Sequence, residues 1–440
     1  MPSASDDMDV WLHRYDLDPV YVGRLTQDDR ENVRFDVDRS YIDLGPNRPV
    51  VSVGWTGISH DEDKAVERLL SDYDKVALRG NLPPFFSNLL PEGALRTLVE
   101  GQLGTGRHTE FDIIRHLGAD LPGAVKVLPE GSDPREYEDA AYQDFPIAST
   151  SRITASLPGM QMKISAMVDR RLSFPAGRED VDHGMVSVIA KPPAELLPGL
   201  PENEFTCMKL AEVAGVNIAN VQLLPGDLVE GVSEKYVKKD EPVLVVDRFD
   251  RSKSGRIHME EFAQSFGAPG NQKYTMANGE TILRVVDLFA GRHFLKEAVI
   301  RTVVNLLLGN GDAHLKNWAY LFNLPEQPDL SPAYDIVSTA AYNPADKMAQ
   351  KFGGTVDPER IGMKKFRQAA SFLKLDPGDM DKWVTETVEK AFDLWPTALA
   401  DLPMLPEQKE ALARHWKRVR LTEELNRPVL TIGASVACGM

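Results

Sequence analysis

Between Asp9 and about Trp55, apolar residues come in short runs, Val10-Trp-Leu-His13, Val20-Tyr-Val-Gly-Arg-Leu25, Val33-Arg-Phe-Asp-Val37 and Val50-Val-Ser-Val53, broken by polar or Gly/Pro turns. Short alternating runs of this kind predict a small antiparallel sheet. Two helices are expected next, from Gly93 to about Gln102 and around Phe111–Leu117, followed by a strand over Gly123–Leu128. Phe85 and Phe86 read as core, since adjacent aromatics are more often buried than ligand-facing. The stretch from Pro129 to about Asp144 is dense in Glu, Asp, Gly and Pro and reads as a solvated connection.

Beyond it the pattern changes. Ser156-Leu-Pro-Gly-Met-Gln-Met-Lys163 is turn-rich and leads into a strand at Ile164–Met167, and Val186-Ser-Val-Ile-Ala-Lys191 is an apolar strand ending in a single lysine. Glu202–Ala214 has Phe205, Met208, Leu210, Ala211 and Val213 at helical spacing, with Gly215 as its stop. Val243–Asp250 reads as a buried strand running into charge. From about Glu280 onward the chain reads as mostly helical, with segments Ile282–Phe289 and Phe294–Leu308, and a short strand at Trp318–Phe322. A mixed α+β part therefore precedes a helical one.

Composition narrows the class. With 440 residues and 42% hydrophobic content, the chain can build two or three buried cores. Its 50 basic and 66 acidic residues give a net charge of −16, which disfavours autonomous binding to nucleic acid or an anionic membrane. Cys207 and Cys438 are its only cysteines, which supports neither a disulfide framework nor a zinc site and fits a reducing cytoplasm. No stretch stays apolar for the ~20 residues of a membrane helix.

The candidate chemistry gathers in Leu308-Gly-Asn-Gly-Asp-Ala-His-Leu-Lys-Asn-Trp318. Asp312 and Asn317 are separated by four residues, the spacing that protein kinases use between the catalytic base and a metal-binding amide. Asp335 follows 18 residues after Asn317 and offers a second oxygen ligand for a hard cation. In this reading Asp312 takes the hydroxyl proton, Lys316 touches the transferring phosphoryl group, and His314 braces Asp312 or the loop. Lys191 would hold nucleotide phosphates and pair with Glu202 or Glu204. Asp247, Arg248 and Phe249 would form a hinge against adenine. Gly159 and a neighbouring lysine suit an anion-binding loop, although taken alone they are a weak signal and an ordinary hairpin is the favoured account.

The order of these segments resembles the HipA-type serine/threonine kinases, toxins of bacterial toxin-antitoxin systems. The resemblance rests on Phe85-Phe-Ser-Asn-Leu-Leu-Pro-Glu92, Gly123-Ala-Val125, Ser156-Leu-Pro-Gly-Met-Gln-Met-Lys163, Asn203-Glu204, Asp247-Arg-Phe-Asp-Arg251, Gly311-Asp-Ala-His-Leu-Lys-Asn317 and Tyr334-Asp335. It implies a bilobal, phosphatidylinositol-kinase-like fold: a small β-rich N-terminal subdomain (1–145), a mixed N-lobe core (146–255) and an all-helical C-lobe (256–440). It also implies ATP and Mg2+ as cofactors, with Asp312 as catalytic aspartate and Asn317 and Asp335 as metal ligands. Ser156, Gly159, Gln161, Lys163, Lys191, Asp247, Arg248 and Phe249 would sit at the nucleotide, with Ser156 autophosphorylated. The implied partners are a HipB-type helix-turn-helix antitoxin, operator DNA through that antitoxin, and a protein substrate, an aminoacyl-tRNA synthetase such as glutamyl-tRNA synthetase. Two other readings stay open: an aminoglycoside-type small-molecule phosphotransferase, and a non-catalytic antitoxin-binding co-repressor.

Overall fold

The computed structural model describes residues 7–56, 61–136, 164–168, 172–173, 186–228, 237–324 and 327–430. Its first sheet has the order β4-β3-β2-β1-β5, built from β1 (Met8–Leu12), β2 (Val20–Gln27), β3 (Val33–Val37), β4 (Val76–Ala77) and β5 (Val125–Pro129), all antiparallel. Phe35 of β3 stacks on Trp55, and Phe85 and Phe86 close the same cluster, so the adjacent aromatics are core. Val50–Val53, expected as a strand, is not one. The chain enters a short helix at Val53–Thr56, and the Val53 N–H is claimed by the distant Glu260 carboxylate instead of a neighbouring strand.

A second antiparallel sheet has the order β7-β6-β8-β10-β9, from β6 (Ile164–Val168), β7 (Leu172–Ser173), β8 (Val186–Lys191), β9 (Val221–Pro225) and β10 (Pro242–Asp247). Alternation along β8 buries Val188 and Ala190 on one face and turns Ile189 and Lys191 to the other, toward a cleft. Helix Leu200–Ala214 packs against β10 and stops at Gly215, whose φ of 103° accommodates the left-handed turn.

The remainder is mainly helical, yet it is not all-helical as expected. A small hairpin, β11 (Arg251–Ser252) with β12 (Gly255–Arg256), leads into a three-stranded sheet of β13 (His258–Glu261), β14 (Ala319–Phe322) and β15 (Asp329–Leu330). The expected strand after the polar loop needed partners for its backbone groups, and β13 and β15 supply them. Helix Leu295–Leu308 carries eleven buried residues and lies at the centre of the largest core cluster, against helix Pro377–Asp401. The expected helix at Ile282–Phe289 is α-helical only to Val285 and continues as a π-helical turn over Val286–Ala290.

Candidate active site

The polar loop is set by how helix Leu295–Leu308 ends. Gly309 caps it with φ of 64°, and a Cβ there would lie 2.6 Å from the Ala340 Cβ, so both conformation and space call for glycine. Asn310 then turns the chain: its amide nitrogen Nδ2 donates to Asn305 Oδ1 at 2.9 Å, and its Oδ1 accepts the Asp312 N–H at 3.0 Å. Thr339 braces the turn from outside, accepting the Gly311 N–H at 2.7 Å and donating to the Gly309 carbonyl at 3.0 Å.

Within the loop, the Asp312 carbonyl accepts from both the His314 N–H and Asn317 Nδ2, each at 2.7 Å, which folds the loop onto itself. His314 Nδ1 accepts the Lys316 N–H at 3.3 Å, placing the ring proton on Nε2, and Nε2 lies 3.6 Å from Asp312 Oδ1. The imidazole thus accepts from the loop backbone and lies beside the aspartate. Tyr334 donates to the Lys316 carbonyl at 2.8 Å and ties the loop to Asp335. Asp335 itself adopts φ of 55°, unusual outside glycine and the kind of backbone strain that collects at functional sites.

Lys191 bridges the two halves of the site. Its ammonium bonds Glu204 Oε1 at 2.5 Å and also pairs with Asp335 Oδ1, with only 3% of the lysine side chain exposed. Glu204, not Glu202, is therefore the helix acid that meets the lysine. Immediately before it in the helix, Asn203 grips the chain just beyond Asp335, accepting the Ser338 N–H at 2.9 Å and donating to its carbonyl at 3.2 Å.

Asp247, Arg248 and Phe249 stand at the end of β10. The Asp247 N–H donates to Asn220 and the Arg248 N–H to Ser187, at 2.9 and 3.0 Å, so these two amides are committed within the fold. The Phe249 ring faces Tyr334 at 5.4 Å between centroids. Arg248 and Arg251 hold the buried Asp250, which also accepts the Gly123 N–H at 2.8 Å. Burial would raise the Asp250 carboxyl, but the two guanidinium groups outweigh it and hold it well below the usual carboxylate range.

Lys191, Asp247, Arg248, Phe249, Asp312, His314, Lys316, Asn317 and Asp335 all line one cleft of about 1920 Å³. Ser156, Gly159, Gln161 and Lys163 lie outside the described residues. Asn317 and Asp335 present hard oxygen donors on this cleft. Among the described residues no group of three or more His, Cys, Asp or Glu forms a complete metal cage. A two-donor set suits a magnesium ion that keeps water and phosphate oxygens as its remaining ligands.

Three residues that sequence reasoning gave no role also face the cleft. Glu92, from the N-terminal part of the chain, bonds Lys316 at 3.0 Å and Lys273 at 2.7 Å. Lys316 also donates to the Asn88 carbonyl at 3.1 Å, so its ammonium is held from the N-terminal side. Burial would raise the Glu92 carboxyl, but Lys316 and Lys273 outweigh it and bring it down to about 2. Tyr274 donates its phenol to Asp312 Oδ1 at 2.5 Å. The Pro91-Glu92 string offered a signal for Glu92; Lys273 and Tyr274 sit in an aperiodic loop that offered none.

Family models match the HipA N-terminal domain over residues 8–128 and the HipA-like C-terminal domain over residues 155–395. The Y4dM protein of Sinorhizobium fredii is 35% identical over 350 residues, covering 78% of this chain and 83% of that protein. The serine/threonine-protein kinase toxin HipA of Shewanella oneidensis is 28% identical over 386 residues, with the same coverage of 78% and 83%. A solved structure of the Shewanella oneidensis complex of HipA, HipB and operator DNA superposes with a TM-score of 0.65 at 19% identity, covering 96% of this chain and 99% of that one; the likeness is one of fold. The chain belongs to the HipA family.

Proposed function

We propose that the chain is an ATP- and Mg2+-dependent serine/threonine-protein kinase acting as the toxin of a toxin-antitoxin pair. The observation that carries this reading is the convergence on one cleft of Lys191, bonded to Glu204 and Asp335, with the loop that presents Asp312 and Asn317. Asp312 accepts the proton of the acceptor hydroxyl, and His314 orients its carboxylate. Asn317 and Asp335 would hold the magnesium, which when bound neutralises phosphate charge. Lys191, kept in place by Glu204, meets the nucleotide phosphates, and Phe249 packs on the base. Lys316 stabilises the loop through Glu92 and lines the same cleft.

The three-part division at 1–145, 146–255 and 256–440 serves this reading. Autophosphorylation at Ser156 would add about two negative charges where nucleotide phosphates bind and so switch the kinase off. The relative HipA is solved with HipB and operator DNA. By analogy, a HipB-type antitoxin is the partner here and supplies most of the DNA contacts, consistent with a net charge of −16. The substrate would be a translation component, an aminoacyl-tRNA synthetase, and the site of action the cytoplasm. Among the described residues no helix is long and apolar enough to cross a membrane.

The test is to incubate wild type and Asp312→Asn with labelled ATP, magnesium and a cell lysate. A labelled protein of synthetase size, absent with the variant, is the expected result. A labelled small molecule would identify a metabolite phosphotransferase, and labelling identical to the variant would identify a non-catalytic protein.

A further inference from the structure

Tyr274 lines the cleft with its ring edge-on to His314, centroids 4.9 Å apart, and its phenol donates to Asp312 Oδ1 at 2.5 Å. The tyrosine does not reach the aspartate by chance of a loose loop. The carbonyl of the preceding Lys273 accepts the Leu315 N–H at 3.2 Å and Gln350 Nε2 at 2.9 Å, so this segment is hydrogen-bonded to the polar loop itself. Lys273 is further fixed by Glu92, and its ammonium lies 5.6 Å from the centre of the Tyr274 ring. Tyr274 Oη therefore hydrogen-bonds the carboxylate oxygen that His314 Nε2 approaches to 3.6 Å, and the tyrosine is the closer of the two.

We infer that Tyr274 is a positioning residue for phosphoryl transfer: its phenol fixes the rotation of the Asp312 carboxylate so that it meets an incoming hydroxyl. The inference rests on the reading of Asp312 as the base. A carboxylate on a single-bond rotor loses orientation when a charge-assisted donor is removed, and rate follows orientation steeply. Burial, together with the charge of Asp312, pushes the phenol above its ordinary range, so Tyr274 remains a donor throughout the working pH range.

The alternative is that the phenol plugs the site and must leave before a substrate enters; the two ideas predict opposite changes in rate. Tyr274→Phe keeps the ring against His314 and removes only the hydroxyl. With purified protein, ATP and magnesium, kcat of Tyr274→Phe is expected to fall by about 10-fold or more, the loss that one hydrogen bond to a charged group supports. The KM for ATP and the thermal midpoint should stay at wild-type values. A kcat equal to or above wild type overturns the inference, as does a fall in kcat accompanied by an equal loss of ATP affinity. Asp312→Asn, measured alongside, separates the two claims. If it remains active, the reading of the base fails and the inference with it. If it is inactive while Tyr274→Phe is unimpaired, only the positioning role fails.

Discussion

Glu260 joins the N-terminal part of the chain to the strand beside the candidate site, and its chemistry yields a quantitative expectation. It is fully buried on β13, accepting the Ser52 hydroxyl at 2.5 Å and the Val53 N–H at 2.9 Å. Burial raises its carboxyl from 4.5 to about 8, with the two hydrogen bonds only partly opposing the shift. The folded protein thus keeps this proton to higher pH than the unfolded chain. Its stabilising contribution is full below pH 4.5 and is lost as pH rises through about 8. At 1.36 kcal/mol per unit the gap sets a ceiling of about 5 kcal/mol, which polarisation and relaxation around the site reduce to about 2–3 kcal/mol. Glu260→Gln preserves shape: the amide oxygen can accept the Val53 N–H, and the NH2 can donate to Ser52. The variant should therefore lose this pH dependence and gain stability over wild type progressively as pH rises. Denaturant unfolding of both proteins from about pH 5 to pH 8 measures the difference directly, because other titrating groups cancel between them. Parallel profiles would refute the argument.

Three further outcomes are expected. Glu92→Gln removes the carboxylate shared by Lys316 and Lys273; phosphoryl-transfer rate should fall, with a stability loss of only about 1 kcal/mol because the site is partly solvated. Wild-type stability from Glu92 is full above pH 4.5 and lost on acidification toward about 2, a slope that the variant should lack. Lys191→Met takes away the cation shared by Glu204 and Asp335 and should cost roughly 3–5 kcal/mol. Adding Asp335→Asn should recover part of that loss, whereas a denaturation midpoint for Lys191→Met equal to wild type would contradict the pairing. Gly309→Ala forces a side chain into positive φ and against Ala340, for an expected cost of about 1–3 kcal/mol by denaturant titration; an unchanged midpoint would show that the turn is not constrained as described.

Much of the site could be read before its geometry was known, because its parts lie at strand and helix ends where local pattern is strong. Strand Val186–Lys191 and helix Gly93–Gln102 have the limits that their apolar runs and stop residues indicate. Asp312 and Asn317 are close in sequence, so a single tight turn suffices to bring them together. What stayed hidden depends on contacts across the fold. Val50–Val53 carries strand-like residues, but its ordering comes from Glu260, and no local period records a partner more than 200 positions away. β13 reads His-Met-Glu-Glu, too polar to announce a strand, and is defined by pairing with β14. Lys273 reaches the loop through its backbone carbonyl, a bond that any residue type could make, and Tyr274 through a phenol whose partner no local pattern records. The choice between Glu202 and Glu204 was one of helix rotation, decided by which acid faces β8.

The most direct test of the central claim compares phosphoryl transfer by purified wild type and Asp312→Asn, with ATP binding titrated for each. A positioned general base contributes about 10²–10⁴-fold to rate. The account predicts a loss in that range with ATP affinity retained, and an Asp312→Asn protein that transfers phosphate at the wild-type rate would contradict it.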